Sequence, residues 1–307
     1  DYSGTTTVNG GILRVGDGAT AGGGSLGTGT ILNDSVLEFN RPDDFVVPNV
    51  INGFGTLVKS GAGIATLTAA PAFTGPITVN PGRLAFSGGG ILGVPVSGAG
   101  TLEVAGGTLE LAGFTSNTVA NTRVSQGVLR LNMLEGTDAV AGNLNVEGGT
   151  LNWVIGNQIA DTASVTVNGG AMNTGNLPDT FLNLTINAPA PLCTFSGLNI
   201  TGTLTVTAGV HDAVNSNGVL TANAVVLSNS TIRTGANNNP STLNIGAGGL
   251  EMDDAILQFG QTGNPAQNAT LNLSGNFTGS GTNLLDVNTG NPISRIDLGD
   301  ATRTFNI

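Results

Sequence analysis

The most regular feature of the chain is a repeated pattern in which apolar and polar residues alternate, reach a glycine, and alternate again. The pattern is clearest at residues 102–111, and it returns at 144–153 and 165–172 with a one-glycine variant at 124–131. Successive side chains of a strand point to opposite faces, so each copy predicts two short strands that share one apolar face. Glycine suits the corner between them because it adopts a positive φ without a steric penalty.

This pattern assigns two sets of structural positions. The predicted corner residues are Gly10, Gly11, Gly82, Gly106, Gly107, Gly127, Gly148, Gly149, Gly169 and Gly170. The predicted core residues, whose side chains should face the interior, are Leu102, Val104, Leu109, Leu111, Val124, Leu129, Leu131, Leu144, Val146, Leu151, Val165, Val167, Leu204 and Val206.

The second apolar position of each copy gives a repeat length near 20 residues, which is typical of one coil of a β-solenoid with two or three short strands. The successive positions are Val104, Val124, Val146 and Val167, followed by weaker copies at Ile186, Val206, Val226 and Ile245. We therefore predict an all-β fold, a single-stranded right-handed parallel β-helix with about 20–25 residues per coil. Residues 132–142 break the alternation and are a candidate short helix or protruding loop.

The composition excludes several classes of function. The net charge is −11 and Lys59 is the only lysine, whereas nucleic-acid binding needs a basic surface. No run of about 18 apolar residues is present, so we expect no membrane-spanning helix. Cys193 is the only cysteine, which excludes an internal disulfide, and a single histidine with a single cysteine does not make a zinc site.

A second, longer repeat covers the beginning of the chain. Residues 2–13 align without gaps to residues 73–84, and the second copy is preceded by Gly-Thr-Leu-Val-Lys-Ser-Gly-Ala-Gly-Ile-Ala-Thr-Leu-Thr at 55–68. This order of residues resembles the autotransporter-associated β-strand repeat, also called the passenger-associated transport repeat. The resemblance is specific over residues 1–90, and we assign these to coils of that repeat. Residues 91–307 are assigned to continuing, more degenerate coils of the same rod.

The resemblance implies a right-handed parallel β-helix in an exported bacterial protein, at the cell surface or outside the cell. We expect a non-catalytic structural rod or fibre segment that needs no cofactor. The alternative is an adhesin-type module that recognises glycan or protein through its solenoid loops, and a contiguous exposed aromatic or carboxylate patch would favour it. Because the chain opens and closes within repeat-like sequence, we expect further solenoid of its own kind as its partner, by covalent continuation or head-to-tail filament assembly.

The chemically reactive residue types give only weak candidates. Two acidic pairs, Asp43 with Asp44 and Asp253 with Asp254, could offer oxygen ligands to calcium, although a solvated loop and corner explain them more simply. His211 lies at an outward position of its repeat, where we expect a surface side chain, and no Gly-x-Ser-x-Gly motif accompanies it.

Two arginines are better explained by pairing than by catalysis. Arg123 and Arg130 lie one repeat after Glu103 and Glu110. Side chains at equivalent positions of neighbouring strands lie side by side, so opposite charges there attract. The sequence therefore predicts cross-coil ion pairs on the outer face.

Overall fold

The computed structural model describes residues 2–189, 193–215, 218–236, 241–259, 269–287, 295–299 and 302–306. The chain divides into two compact units, residues 1–151 and 152–307, and each is described by itself. Within the described residues the regular structure consists of strands, and no segment forms a helix long and apolar enough to cross a membrane. The division that we predict near residue 90 is one of sequence pattern and stays a prediction.

The first unit is built from short strands. They are β1 (Thr6–Val8), β2 (Ile12–Val15), β3 (Ile31–Asn33), β4 (Val36–Phe39), β5 (Phe45–Val47), β6 (Ile51–Gly53), β7 (Thr56–Lys59), β8 (Ile64–Leu67), β9 (Ala72–Phe73), β10 (Ile77–Val79), β11 (Arg83–Phe86), β12 (Gly90–Leu92), β13 (Val96–Leu111), β14 (Thr118–Leu131) and β15 (Asn143–Val146). Strand β16 (Thr150–Trp153) spans the boundary between the units.

The strands of the first unit pair in parallel to form ladders on the faces of the coil. One ladder runs β1, β3, β6, β9, and a second runs β2, β4, β7, β10 and the beginning of β13. A third ladder runs β5, β8, β11, the middle of β13, the middle of β14 and β15. A strand inside a ladder thus bonds to the strand one coil before it and to the strand one coil after it.

The second unit repeats this arrangement with different strands. They are β17 (Ser164–Val167), β18 (Ala171–Asn173), β19 (Asp179–Phe181), β20 (Asn183–Ile186), β21 (Leu198–Val206), β22 (Gly209–Asn215), β23 (Val219–Ser228), β24 (Ser230–Ala236), β25 (Ser241–Asp253), β26 (Ile256–Phe259), β27 (Ala269–Leu273), β28 (Phe277–Ser280), β29 (Leu284–Val287), β30 (Arg295–Asp297) and β31 (Phe305–Asn306).

Parallel ladders also organise the second unit. One runs β17, β20, the end of β21, the end of β23, the end of β25, β28 and β31. Another begins at β19 and ends at β30, and a third runs β22, β24, β26, β29. The predicted all-β parallel β-solenoid is confirmed by this topology.

The interior is formed by the apolar side of each strand. All fourteen predicted core residues are buried, with exposed fractions between 0% and 1%. In β13 the burial alternates as the sequence pattern requires: Leu109 and Leu111 are buried, while Thr108 is exposed and Glu110 is half-buried between them. Burial of these aliphatic side chains contributes roughly 1.5–3 kcal/mol each before the entropy of folding is counted.

The predicted repeat positions hold in part of the chain and are wrong further along. Val104 pairs with Val124, and Ile186 pairs with Val206, so these positions are equivalent in successive coils. Val206, however, pairs with Leu227 rather than with Val226, which is half-buried and faces outward. The predicted weak copy at Val226 is therefore wrong, because a one-residue slip moves a strand's side chains to the other face. Ile245 is buried, but it pairs with Ala222 in the ladder that begins at β19, so it is not equivalent to Val206 either.

The predicted corner glycines lie between consecutive strand segments, and two different needs place them there. Gly82 adopts a φ of +88°, which side-chain-bearing residues rarely adopt, and a Cβ atom on it would lie 2.3 Å from the carbonyl oxygen of Gly61. Gly149 has no positive φ, but a Cβ atom on it would lie 2.6 Å from the carbonyl oxygen of Gly127. Close stacking of corners is therefore a second reason for glycine, which the sequence pattern does not reveal.

Residues 132–142 form a loop rather than the alternative short helix. The N–H of Thr137 donates to the carbonyl oxygen of Leu134 over 2.9 Å, which closes a turn. Leu134 is 55% exposed at this turn, whereas Met133 beside it is buried. The loop therefore protrudes while one side chain anchors it to the interior.

Candidate functional site

Polar side chains in the first unit form a charge ladder on the outer face of the third ladder of strands, at β11, β13, β14 and β15. We define it as Arg83, Glu103, Arg123, Ser125 and Glu147. Arg83 Nη1 donates to Glu103 Oε2 over 2.9 Å, and Arg123 Nη1 and the Ser125 hydroxyl donate to Glu103 Oε1. Arg123 also donates through Nε and Nη2 to both oxygens of Glu147. Alternating charges thereby join four successive coils.

Glu103 is the central acceptor of the charge ladder. It faces outward, yet it is only 4% exposed, because Arg83 and Arg123 lie over it from the coils on either side. The bidentate hydrogen bonds from Arg123 hold the pKa of Glu147 below its usual range, and the same bonds raise the pKa of Arg123. Arg123 therefore keeps its charge and binds a carboxylate on each side.

The two predicted cross-coil pairs both form. Arg123 pairs with Glu103, and Arg130 pairs with Glu110 at 3.1 Å. The sequence did not predict that Glu147 extends the first pair into a ladder. Glu147 lies just beyond the end of β15, so it is not the residue that pairs with Arg123 in strand register.

The glycine-rich stretch at residues 55–68 contains a buried lysine. Lys59 faces the interior, paired in register with Phe39 on one side and Val79 on the other, and it is 0% exposed. Its ammonium group donates to the carbonyl oxygen of Gly61 at the following corner. Burial lowers the pKa of Lys59 to about 8, so its ammonium group loses a proton more readily than that of an exposed lysine. The hydrogen bond from this group ties the corner to the core.

The acidic pairs are occupied by protein donors. Asp43 accepts hydrogen bonds from the guanidinium of Arg41, which lower the pKa of Asp43 to about 2. Asp44 accepts from the backbone N–H of Ile64. Asp253 Oδ1 accepts from the Ser280 hydroxyl, and Asp254 Oδ1 accepts from the backbone N–H of Thr282. Among the described residues, no three Asp, Glu, His or Cys side chains gather closely enough to hold a metal ion.

His211 is buried, which corrects the prediction of a surface histidine. It is 0% exposed, its Nδ1 accepts from the backbone N–H of Cys193 over 3.2 Å, and its Nε2 donates to the carbonyl oxygen of Ala208 over 2.8 Å. Burial lowers its pKa. Both ring nitrogens are bonded to backbone, so the ring joins two chain segments as a structural side chain.

Exposed apolar side chains form a small patch that sequence reasoning missed. Phe114 is 83% exposed, in the loop between β13 and β14. The N–H of Leu134 donates to the carbonyl oxygen of Gly113 over 3.0 Å, which places the 55% exposed Leu134 beside Phe114 on the adjacent coil. The two residues are 20 residues apart, which is one repeat length, and this spacing is the signal that could have joined them. Both lie in loops outside the alternating pattern, so the pattern itself does not single them out.

A buried carboxylate in the second unit was also missed. Asp179 is 2% exposed at the beginning of β19, and Trp153 Nε1 donates to its Oδ2 over 2.6 Å. The backbone N–H groups of Gln158 and Ile159 donate to the same oxygen, and the N–H of Thr180 donates to Oδ1. This carboxylate gathers donors separated by up to 27 residues of sequence, which periodicity alone does not predict.

Two stretches of the chain match a known family of repeats. Residues 1–15 and 57–86 match the passenger-associated-transport-repeat family. These two stretches carry the sequence of passenger-associated-transport repeats. The second match spans β7 to β11, including the corner with the buried Lys59 and the close approach at Gly82. The family resemblance deduced from residues 55–84 is thereby confirmed.

A curated relative extends the comparison. The Adhesin BmaC autotransporter of Brucella suis biovar 1 (strain 1330) is 32% identical over 106 residues, which is 34% of this chain and 3% of the adhesin. The match therefore spans a very small part of the adhesin's length. No solved structure matches the chain.

Proposed function

We propose that this passenger-associated-transport-repeat chain is a structural, non-catalytic spacer displayed at the surface of a bacterium. The observation that carries the proposal is the charge ladder, in which Glu103 is covered by Arg83 and Arg123. These side chains are directed at the next coil rather than at solvent. Together with parallel backbone ladders they join neighbouring coils, which is the property a load-bearing spacer needs.

Surface location is proposed from the family and its relative. Passenger repeats and an autotransporter adhesin both point to an exported protein. We also propose further solenoid of its own kind as the partner, since parallel strands bond equally well to a coil of the same or another chain. Sedimentation of the full chain over a range of concentrations tests this partner: reversible elongated oligomers support it, and a single monomeric species contradicts it.

Native proteolysis of the full chain tests the spacer role. We expect slow cleavage confined to loops, and a several-fold faster loss of intact chain when Glu103→Ala removes the centre of the charge ladder. Glu135→Ala is the matched control, because Glu135 is exposed in the 132–142 loop. Degradation of the wild type as fast as an unfolded protein, or equal rates for the two variants, contradicts the proposal.

A binding module is a second candidate function. The relative's name describes an adhesin, and the patch of Phe114 and Leu134 offers an exposed apolar surface of the kind that binding sites use. Glycan-array and immobilised-protein binding by the wild type and by Phe114→Ser separates the two functions. Saturable binding that Phe114→Ser abolishes favours the adhesin, whereas absence of binding favours the spacer.

A further inference from the structure

One outer face of the second unit carries a regular array of small polar side chains. Strands β17 and β20 and the end of β21 present alternate residues outward in three consecutive coils, while the residues between them are buried. We call this array the polar grid. Its members, coil by coil, are Ser164, Thr166 and Asn168, then Asn183, Thr185 and Asn187, then Thr203, Thr205 and Thr207.

The strand register places equivalent side chains of the polar grid next to each other. Thr166 pairs with Thr185, and Thr185 pairs with Thr205, so these three form its middle row. Neighbouring strands lie about 4.8 Å apart and alternate residues of one strand about 6.6 Å apart, so the grid measures roughly 10 Å by 13 Å between its outermost Cα atoms. The polar groups therefore repeat at fixed intervals in two directions.

Hydrogen bonds within the protein hold the two outer rows of the polar grid. Asn183 Nδ2 donates to Ser164 Oγ over 3.2 Å, and the Thr207 hydroxyl donates to Asn187 Oδ1 over 2.9 Å. The three hydroxyls of the middle row have no hydrogen-bond partner among the residues that the structure describes. Each of them can donate one hydrogen bond and accept others, so a row of unused polar groups lies between two rows of fixed ones.

The polar grid is uncharged although the chain as a whole is acidic. Between residues 162 and 210 the only acidic or basic side chain is Asp179, which is buried, whereas the net charge of the chain is −11. An ionic ligand would meet no opposite charge on this face. The composition of the face therefore favours a neutral ligand that forms hydrogen bonds.

The size and spacing of the polar grid distinguish between neutral ligands. A stable interface with another protein buries about 800 Å² on each partner, several times the area of the grid. A linear polymer needs less width, and it meets equivalent groups in every coil when its repeat length matches the coil spacing. A sugar residue of an extended polysaccharide is about as long as that spacing, and its hydroxyls form hydrogen bonds with hydroxyl and amide groups.

We propose that the polar grid binds a neutral, linear polysaccharide that lies along the coil axis, with about one sugar residue for each coil spacing. The threonine hydroxyls of the middle row exchange hydrogen bonds with the sugar hydroxyls. Val226, which is half-buried and faces outward beside Thr205 on the following coil, offers an apolar contact to the ring carbons. This binding adds to the spacer role and does not depend on it.

Affinity electrophoresis of the full chain tests the proposal. The probes are gels that contain dextran, mannan or galactomannan, which are neutral, and gels that contain the acidic polygalacturonate. We expect at least one neutral polymer to retard the chain, polygalacturonate to have no effect, and oligosaccharides of the bound polymer to compete better than its monosaccharide. Retardation by none of the three neutral polymers, or equal competition by monosaccharide and oligosaccharide, overturns the proposal.

Substitution of the central threonine locates the binding site. Thr185→Val removes one hydroxyl with little change in shape, so binding should weaken roughly ten-fold for the lost hydrogen bond while the melting temperature stays the same. Thr231→Val is the matched control, because Thr231 is also half-buried and faces outward, but it lies on β24 in another ladder of the same unit. Equal affinities of the two variants overturn the proposal.

Two further outcomes would assign the binding to another surface or partner. Polysaccharide binding that Phe114→Ser abolishes and Thr185→Val leaves intact would place the ligand on the loop patch of Phe114 and Leu134, against the proposal. A change in sedimentation of Thr185→Val without a change in polysaccharide binding would assign the polar grid to a second copy of the chain, which also overturns it. Resistance to proteolysis, which tests the spacer role, should be the same in Thr185→Val and in the wild type.

Discussion

Arg123 donates to Glu103 from the neighbouring coil, 20 residues further along the chain, and helps to close that carboxylate off from solvent. Glu103 faces outward in the strand alternation and is nevertheless as buried as a core residue. Cross-coil pairing therefore buries a charged side chain on the outer face of the coil. The consequences for stability differ from those of an ordinary surface ion pair.

Glu103→Ala should destabilise the first unit by about 1–3 kcal/mol. A fully buried pair broken on one side costs about 3–5 kcal/mol, but Arg83 and Arg123 keep partial contact with water, which reduces the effect. Glu110→Ala is the matched control, since its partner Arg130 is 43% exposed, and about 0–1 kcal/mol is expected there. Denaturant unfolding of both variants measures the difference; equal losses would show that the ladder is not cooperative.

Val146→Asp should destabilise the first unit by several kcal/mol, on the order of the cost of an unpaired buried charge. Val146 is 0% exposed and pairs with the equally buried Val124. The adjacent Glu147→Ala removes an exposed partner of Arg123 and should cost about 1 kcal/mol or less. Melting temperatures of the two variants check the alternation directly, because similar shifts would mean that the inward and outward positions are exchanged.

Gly82→Ala and Gly10→Ala should differ although both glycines occupy predicted corners. At Gly82 the positive φ costs about 1–3 kcal/mol for alanine, and the new Cβ atom would meet the carbonyl oxygen of Gly61 at 2.3 Å. Gly10 has no positive φ and no atom within 4 Å of the new Cβ, so a change within about 0.5 kcal/mol is expected. Thermal unfolding distinguishes them, and a neutral Gly82→Ala would contradict the close stacking of these corners.

The sequence predicted which side chains face the interior where apolar and polar residues alternate strictly. It did not predict burial where two adjacent residues are both apolar or where contacts between coils determine it. Leu109 and Leu111 could be placed inward because each strand has one apolar face. Val226 was misplaced because Val225, Val226 and Leu227 are all apolar, so the alternation does not specify which face is buried. His211 and Asp179 could not be placed, because their burial depends on backbone donors and acceptors brought close only by the folded coils.

His211 should make the second unit less stable as the pH falls below about 6.5. Burial lowers its folded-state pKa from 6.5, so the unfolded chain takes up a proton before the folded chain does. The stabilising contribution is present above the unfolded pKa and is lost as the pH falls through the folded one. Protonation would also place a proton on Nδ1, which now accepts from the N–H of Cys193.

A single histidine makes this titration directly measurable. Its imidazole proton resonances in the folded chain should give a pKa below 6.5, and the melting temperature should fall between pH 7 and 5. Burial raises the pKa of Asp179 to about 6, so protonation of this carboxyl stabilises the fold over the same pH range in which protonation of His211 destabilises it. The pH dependence of the melting temperature should therefore be compared in an Asp179→Asn background, with and without His211→Gln, which removes the histidine contribution. A histidine pKa at or above 6.5, or an unchanged slope in His211→Gln, would show that the buried imidazole does not govern the acid response.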